Sequence, residues 1–209
     1  VSWGSTDVTS ANGRYLVRNQ AGANLTSYFG NLSTRISYST GQTTLDLPAT
    51  TPVGDLSSFS LEDQFSYFTS VGAQYDNGRW LLMAEITRLG VDTPSSWFPT
   101  QTAGYLTAGR RFGRLMPHLT WTMVEDEDNA NCTGTANDIG CLSLAAENGA
   151  HSKSWTLGAR YDLAAGIALK AEASRLNHFK YRDSVNAHQF SRLPTSEDPM
   201  VFRMSVDAA

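Results

Sequence analysis

The chain has 209 residues, of which 41% are hydrophobic and 17% charged, and its formal net charge is −4. The weak charge and the lack of a basic stripe argue against a nucleic-acid partner. No apolar run approaches the roughly 20 residues of a membrane-spanning helix, and no positively charged apolar leader opens the chain. We therefore expect a mature chain, a fragment or a protein that is not exported. The composition suits a soluble domain and a transmembrane β-barrel equally, because barrel strands are half polar.

The N-terminal part of the sequence has the least regular pattern. Residues 1–21 are ambiguous, with a short strand from Gly13 to Asn19 as one interpretation. A faint hairpin then turns at Gly30–Asn31. After this turn, Ile36 belongs to the apolar side of a strand and Arg35 to the polar side, because successive side chains of a strand point to opposite faces.

Two clearer hairpins occupy the middle of the chain. The first turns at Asp76-Asn77-Gly78, a strong hairpin signal, between strands that end near Tyr75 and begin near Trp80. The second turns at Gly113–Arg114, and a polar loop from Leu89 to Thr102 separates the two hairpins. In both, apolar and polar residues alternate, which predicts strands between an apolar and an aqueous environment.

The last third of the chain has the cleanest alternation. Ser154 to Asp162 and Ile167 to Ser174 form a predicted hairpin, and Met200 to Ala209 forms a predicted last strand. Long polar loops, Glu125 to His151 and roughly Asn177 to Glu197, precede the hairpin and the last strand. We find no segment with a convincing helical period.

Two cysteines, Cys132 and Cys141, lie in the first of these long loops. We interpret them as a disulfide that closes a small loop in an oxidising compartment, because two exposed thiols this close would oxidise readily. Two unpaired thiols in a cytosolic loop are the alternative. No histidine or second cysteine pair lies at ligand spacing, so we expect no metal site, and nothing in the sequence indicates a cofactor.

The turns and the charges favour lipid over a soluble core as the apolar environment. Short turns alternate with loops of roughly 14 to 27 residues, as the periplasmic turns and extracellular loops of outer-membrane barrels do. Charges on the polar side would each cost several kcal/mol in a packed interior, whereas a water-filled lumen would solvate them. Aromatic residues cluster beside the short turns as in an interfacial girdle, with ordinary packing at a barrel end as the alternative. They are Phe29, Tyr75, Trp80, Phe112 and Tyr161.

We therefore predict an all-β fold, an antiparallel transmembrane β-barrel with short periplasmic turns and long extracellular loops, in one domain over residues 1–209. We count nine strands from about Gly22 onward, whereas bacterial barrels have an even number. Either residues 1–21 supply a tenth strand, or the chain is the later part of a larger barrel, and we favour the second. The apolar parity of Phe202, Met204, Val206 and Ala208 predicts another outward residue at the next even position, where such barrels usually end in an aromatic. The sequence stops at Ala209, so we expect one further residue.

Several motifs between Ser70 and Leu176 resemble the C-terminal half of a Gram-negative, porin-like outer-membrane family with about 16 strands. These turn-and-strand patterns carry no catalytic signature, and Arg110 departs from them where the family more often has an aromatic. The first 60 residues match poorly, so the family's constriction loop cannot be mapped. The motifs are Gly72 to Trp80 with Ala84-Glu85, Leu106 to Gly113 with Pro117, and Trp155 to Asp162 with Leu169 to Glu172.

The resemblance implies a bacterial outer-membrane channel for passive transport of small hydrophilic solutes or ions, often as a homotrimer, in contact with membrane lipid and lipopolysaccharide. Charged and polar residues on the predicted inner side would set a transverse field that tunes ion preference. Cross-strand salt bridges that only fill the wall are the alternative. The predicted pore-lining residues are Arg35, Glu85, Arg111, His118, Arg160, Lys170, Glu172 and Arg203.

Two other functions compete with the channel. A structural barrel that houses or docks a partner protein needs the same polar inner residues. An outer-membrane enzyme could use His118 as a general base, but no nucleophile motif accompanies it. We therefore expect no enzymatic activity and interpret His118 as a hydrogen-bonded histidine of the wall.

Overall fold

The computed structural model describes residues 1–10, 13–47, 57, 60–92, 100–127, 151–180 and 200–208. These residues form one antiparallel sheet of ten strands, in which each strand pairs with its neighbours in chain order. Within the described ranges, no helix has the length and apolar content needed to cross a membrane. The strands are β1 (Ser2–Ser10), β2 (Gly13–Phe29), β3 (Leu32–Asp46), β4 (Leu61–Asp76), β5 (Trp80–Val91), β6 (Gln101–Arg110), β7 (Leu115–Asp126), β8 (His151–Ala164), β9 (Ile167–Lys180) and β10 (Met200–Ala208).

The connections differ in length between the two ends of the sheet. At the end that we call the short-turn end, tight turns join β2 to β3, β4 to β5, β6 to β7 and β8 to β9. The opposite connections comprise residues 47–60, 92–100, 127–150 and 181–199, and only β1 and β2 are joined there by two residues, 11–12. All four predicted turns are confirmed. Short turns at one end of the sheet and long connections at the other are typical of an outer-membrane barrel.

The turn between β4 and β5 shows why the sequence folds locally as it does. Gly78 has a φ of 79°, a left-handed conformation that glycine adopts without steric strain. The side-chain oxygen of Asn77 accepts hydrogen bonds from the backbone N–H groups of Arg79 (3.0 Å) and Trp80 (2.7 Å). The turn therefore satisfies its own backbone donors and sets the register of the two strands.

Three strands run further than the alternation predicts. β5 continues to Val91, β7 to Asp126 and β9 to Lys180, so the long connections begin later than expected. Backbone pairing needs no apolar alternation, and these three strands, of 12, 12 and 14 residues, exceed the roughly 9–11 residues that cross a bilayer. The polar ends of these strands therefore pair with neighbouring strands, although their sequence is typical of loops.

The ambiguous N-terminal region forms β1 and the first part of β2. The pairing register shifts between Gly4 and Thr6 in β1 and between Arg18 and Ala21 in β2, where Asn19 has a positive φ of 50°. A bulge exchanges the faces of all following side chains, which hides the alternation from sequence inspection. Residues 1–21 thus supply a tenth strand, and whether these ten strands belong to a larger barrel depends on the edges of the sheet.

The described strands do not close into a barrel. Across the described part of the chain, β1 pairs only with β2 and β10 only with β9. Unpaired edge groups are not tolerated in hydrocarbon, so a membrane-inserted form of this sheet needs further pairing at both edges. This openness agrees with the expected larger barrel, whose total strand number stays a prediction.

The sheet has one apolar face and one polar face, as predicted. On the apolar face Trp121 lies opposite Trp155, and Leu119 lies opposite Leu157. Leu157 is 65% exposed and Phe202 is 73% exposed, whereas only four apolar residues among those described are buried. A soluble protein rarely exposes a continuous apolar surface of this extent, so this face requires a non-aqueous contact.

Candidate functional site

The polar face, which we call the polar wall, carries most of the predicted pore-lining residues. Seven of the eight lie on it, on strands β3 to β10, and the register aligns them in rows across the sheet. The eighth, Arg111, lies outside the strands, just after the end of β6 at the short-turn end. The seven are Arg35, Glu85, His118, Arg160, Lys170, Glu172 and Arg203.

One row joins Arg35, Glu85 and Tyr105 across four strands. Gly72 lies between Arg35 and Glu85 in register, so no side chain separates them. Arg35 Nη2 is 3.2 Å from Glu85 Oε1, and the Tyr105 hydroxyl donates to Glu85 Oε2 at 3.4 Å. The Glu85 side chain is 18% exposed and that of Arg35 is 55% exposed. The carboxylate is therefore held in the wall while the guanidinium still faces solvent.

A second row repeats this arrangement with a histidine. Gly158 lies between His118 and Glu172 in register, and His118 Nε2 is 3.4 Å from Glu172 Oε1. A Cβ at Gly158 would lie 2.4 Å from His118 Cε1, so only glycine fits beneath the imidazole. The His118 side chain is 13% exposed, and its Nδ1 has no hydrogen-bond partner in the described part of the structure. His118 is thus a wall residue in contact with a carboxylate.

Hydroxyl pairs fill the wall between these rows. The hydroxyl oxygens of Thr107 and Thr120 are 2.8 Å apart, and those of Thr122 and Ser154 are 2.6 Å apart. Between β8 and β9, the hydroxyl oxygens of Thr156 and Ser174 are 2.7 Å apart. Such cross-strand pairs stabilise a sheet modestly while they present a surface that water can wet. Sequence reasoning missed them, although runs of Thr and Ser at alternate positions of β6 to β9 were a visible signal.

Two further cations of the wall lie side by side near the short-turn end. Arg160 and Lys170 are opposite each other in register on β8 and β9. Each has its own carboxylate, since Arg160 Nε is 2.7 Å from Asp162 and Lys170 Nζ is 2.5 Å from Asp207. The wall salt bridges that we considered as the alternative are therefore present, and the pore-lining role of these residues stays a prediction.

Arg111 connects two of the short turns. Its guanidinium donates two hydrogen bonds to Asp76, at 2.6 Å and 2.8 Å. These bonds and the backbone N–H of Gly78 lower the pKa of the Asp76 carboxyl from 3.8 to about 2. The pair acts as a clamp at the short-turn end, and the pore-lining role of Arg111 stays a prediction.

No metal-binding group was found in the described ranges, where no three His, Cys, Asp or Glu side chains converge. The predicted disulfide between Cys132 and Cys141 lies outside the described residues. The described site is therefore a wall of paired charges and hydroxyls.

Comparison with solved structures identifies the fold. OmpT from Vibrio cholerae, an outer membrane protein described in a trimer form, aligns with a TM-score of 0.53 and 13% identity over 98% of this chain and 62% of that chain. A loop L8 deletion mutant of OmpT aligns with a TM-score of 0.50 and 12% identity over 83% of this chain and 56% of that chain. The chain thus spans less than two thirds of the length of these neighbours. No protein-family model and no curated protein matches the chain.

The chain therefore has the fold of bacterial outer-membrane β-barrel proteins, the fold class that the alternation predicts. The outer-membrane origin of these neighbours agrees with the predicted location. At 12–13% identity the likeness concerns the fold alone, so porin activity is not part of this finding.

Proposed function

We propose that the protein is an outer-membrane channel of a Gram-negative bacterium, through which small hydrophilic solutes or ions diffuse passively. The observation that carries this proposal is the polar wall, whose charges face the side opposite to the exposed apolar face. A lipid-facing apolar surface and a wetted inner surface are the two requirements of a transmembrane barrel with an open lumen.

The charged side chains of the polar wall remain partly exposed, which suits a water-filled channel better than a dry, packed interior. The side chains of Arg35 and Arg160 are 55% and 41% exposed although each has a carboxylate partner. Paired charges in contact with water keep a mixed field along the wall without a large net charge. This supports a channel with weak charge selectivity rather than a site for one tightly bound ion.

The proposed partners follow from the two faces. Membrane lipid would cover the apolar face, and lipopolysaccharide would surround the long connections on the cell surface. A homotrimer is supported only by the trimer form described for one structural neighbour. Chemical crosslinking of the protein in its native membrane would test it, with a ladder ending at three subunits as the expected result.

Single-channel recording in a planar lipid bilayer tests the channel directly. We expect stepwise openings, and Glu85→Gln should shift the reversal potential toward anion preference because it removes one negative charge of the wall. Thr120→Ser, a polar-wall change without a change of charge, is the matched control. A silent bilayer with correctly folded protein would contradict the channel and favour a barrel that houses or docks a partner protein.

We also propose that the protein has no enzymatic activity. His118 faces Glu172 and is 13% exposed, which leaves its imidazole poorly placed to reach a substrate in the lumen. Hydrolysis of a lipid or peptide by purified protein that disappears in His118→Ala would overturn this proposal.

A further inference from the structure

Arg110 lies on the apolar face at the short-turn end. Arg110 is the last residue of β6 and lies opposite Trp80 in register, on the same face as Ala108 and Leu106. Phe112 follows two residues later, beside the short turn. A guanidinium thus sits among the aromatic residues at the depth where the short-turn end would meet the membrane interface.

Among the described residues, the surroundings of Arg110 supply aromatic ring faces but no counter-charge. Its guanidinium carbon is 5.0 Å from the ring centroid of Trp80 and 4.8 Å from that of Phe112. Its Nε is buried without a hydrogen-bond partner among the described residues, and no carboxylate there forms an ion pair with it. The neighbouring Arg111 is instead paired with Asp76 through two hydrogen bonds.

We propose that Arg110, held between Trp80 and Phe112, binds the phosphate group of an anionic membrane lipid in the leaflet at the short-turn end, where no choline cation neutralises the phosphate. A guanidinium presents several N–H donors in a planar fork that fits phosphate oxygens, and ring contacts leave those donors unsatisfied. The residue as a whole is partly exposed, so the fork can reach an anion outside the protein. This inference rests on the proposed membrane location. Inorganic phosphate offers the same oxygen acceptors as a lipid headgroup, so the experiment must distinguish the two.

Tryptophan quenching by brominated lipids tests the site, because Trp80 is part of it. Trp3, Trp97, Trp121 and Trp155 are replaced by phenylalanine, and the full-length protein is reconstituted in dioleoylphosphatidylcholine. Dibrominated phosphatidylglycerol should bind beside Trp80 about fivefold more tightly than dibrominated phosphatidylcholine, the factor expected for one unpaired arginine near an anionic headgroup.

Substitutions separate this site from general surface charge. Arg110→Gln should abolish the preference, Arg110→Lys should retain part of it, and Arg79→Gln, which removes the same charge in the neighbouring turn, should leave it unchanged. Displacement by millimolar inorganic phosphate would assign the site to phosphate anions in general, and resistance to it would assign the site to a lipid headgroup.

Two results would overturn the lipid site. One is equal quenching of Trp80 by both lipids in the protein that retains Arg110, and the other is an equal loss of the preference in Arg79→Gln and Arg110→Gln. No quenching by either brominated lipid would instead contradict the membrane location itself, so the two failures are distinguishable. A heat-modifiability gel confirms that each variant is folded before the titration.

Discussion

Replacing Gly158 with alanine tests the tightest contact of the polar wall. The new Cβ would lie 2.4 Å from His118 Cε1, 2.5 Å from His118 Nε2 and 3.0 Å from Glu172 Cγ. Such overlap is not tolerated, so the imidazole must leave its place over β8 and give up its contact with Glu172. Forcing extra atoms into a packed site costs about 1–3 kcal/mol.

The net effect is smaller than the overlap alone suggests. Alanine in place of glycine in a strand interior recovers about 0.5–1 kcal/mol, because glycine loses more backbone entropy on folding. We therefore expect Gly158→Ala to lower the free energy of unfolding by about 1 kcal/mol. Urea unfolding of the reconstituted protein, followed by the gel shift of the folded barrel, measures this difference.

Gly72 provides the matched control. It occupies the equivalent place between Arg35 and Glu85, but a Cβ there would meet its nearest neighbour at 3.4 Å, an ordinary contact. Gly72→Ala should be neutral or stabilising, and His118→Ala should remove most of the penalty of Gly158→Ala, because the remaining contact with Glu172 Cγ, at 3.0 Å, is the weakest of the three. Equal effects at both glycines, or a penalty that persists without the imidazole, would refute the geometry of the second row.

The remaining predictions address the clamp and the two faces. Asp76→Asn should lower the free energy of unfolding by about 0.5–1 kcal/mol at neutral pH, because it removes a partly exposed ion pair. The lowered pKa of Asp76 means that its stabilisation is complete above pH 3.8 and is lost as the pH falls toward about 2; a pH series in which Asp76→Asn has the same acid limb as the parent would contradict this. Ile36→Arg should destabilise the reconstituted protein by about 2–4 kcal/mol if its face meets lipid, whereas Ser37→Arg on the wall should have little effect. Equal tolerance of both arginines in the same assay would argue against a lipid-facing apolar side.

Much of the fold was predictable because it depends on local signals. Turn residues such as those at Asp76-Asn77-Gly78 and the two-residue period around Trp155 specify hairpins and faces without reference to distant parts of the chain. The prediction was weakest for β1 and β2, where register shifts near Gly4 and Asn19 exchange the faces. A single misplaced residue there reverses the apparent alternation.

The sequence predicted which residues belong to the polar wall, but it did not predict which of these side chains contact each other. The sequence placed Arg35, Glu85, His118 and Glu172 on the inner side, and it could not show which strand positions lie opposite each other. Residues 50 apart in the chain, Arg35 and Glu85, form an ion pair because the register puts Gly72 between them. The same dependence hid the contact between His118 and Glu172.

By itself, then, the alternation of side chains decides that this chain forms hairpins with a water-facing and a lipid-type surface, because strand geometry sends successive residues to opposite sides. Only the assembled sheet decides which charges neutralise each other, where a glycine lies beneath a ring, and that Arg110 lies among aromatic rings with no acceptor for its Nε among the described residues. Those outcomes depend on the register between strands, which brings together side chains far apart in sequence.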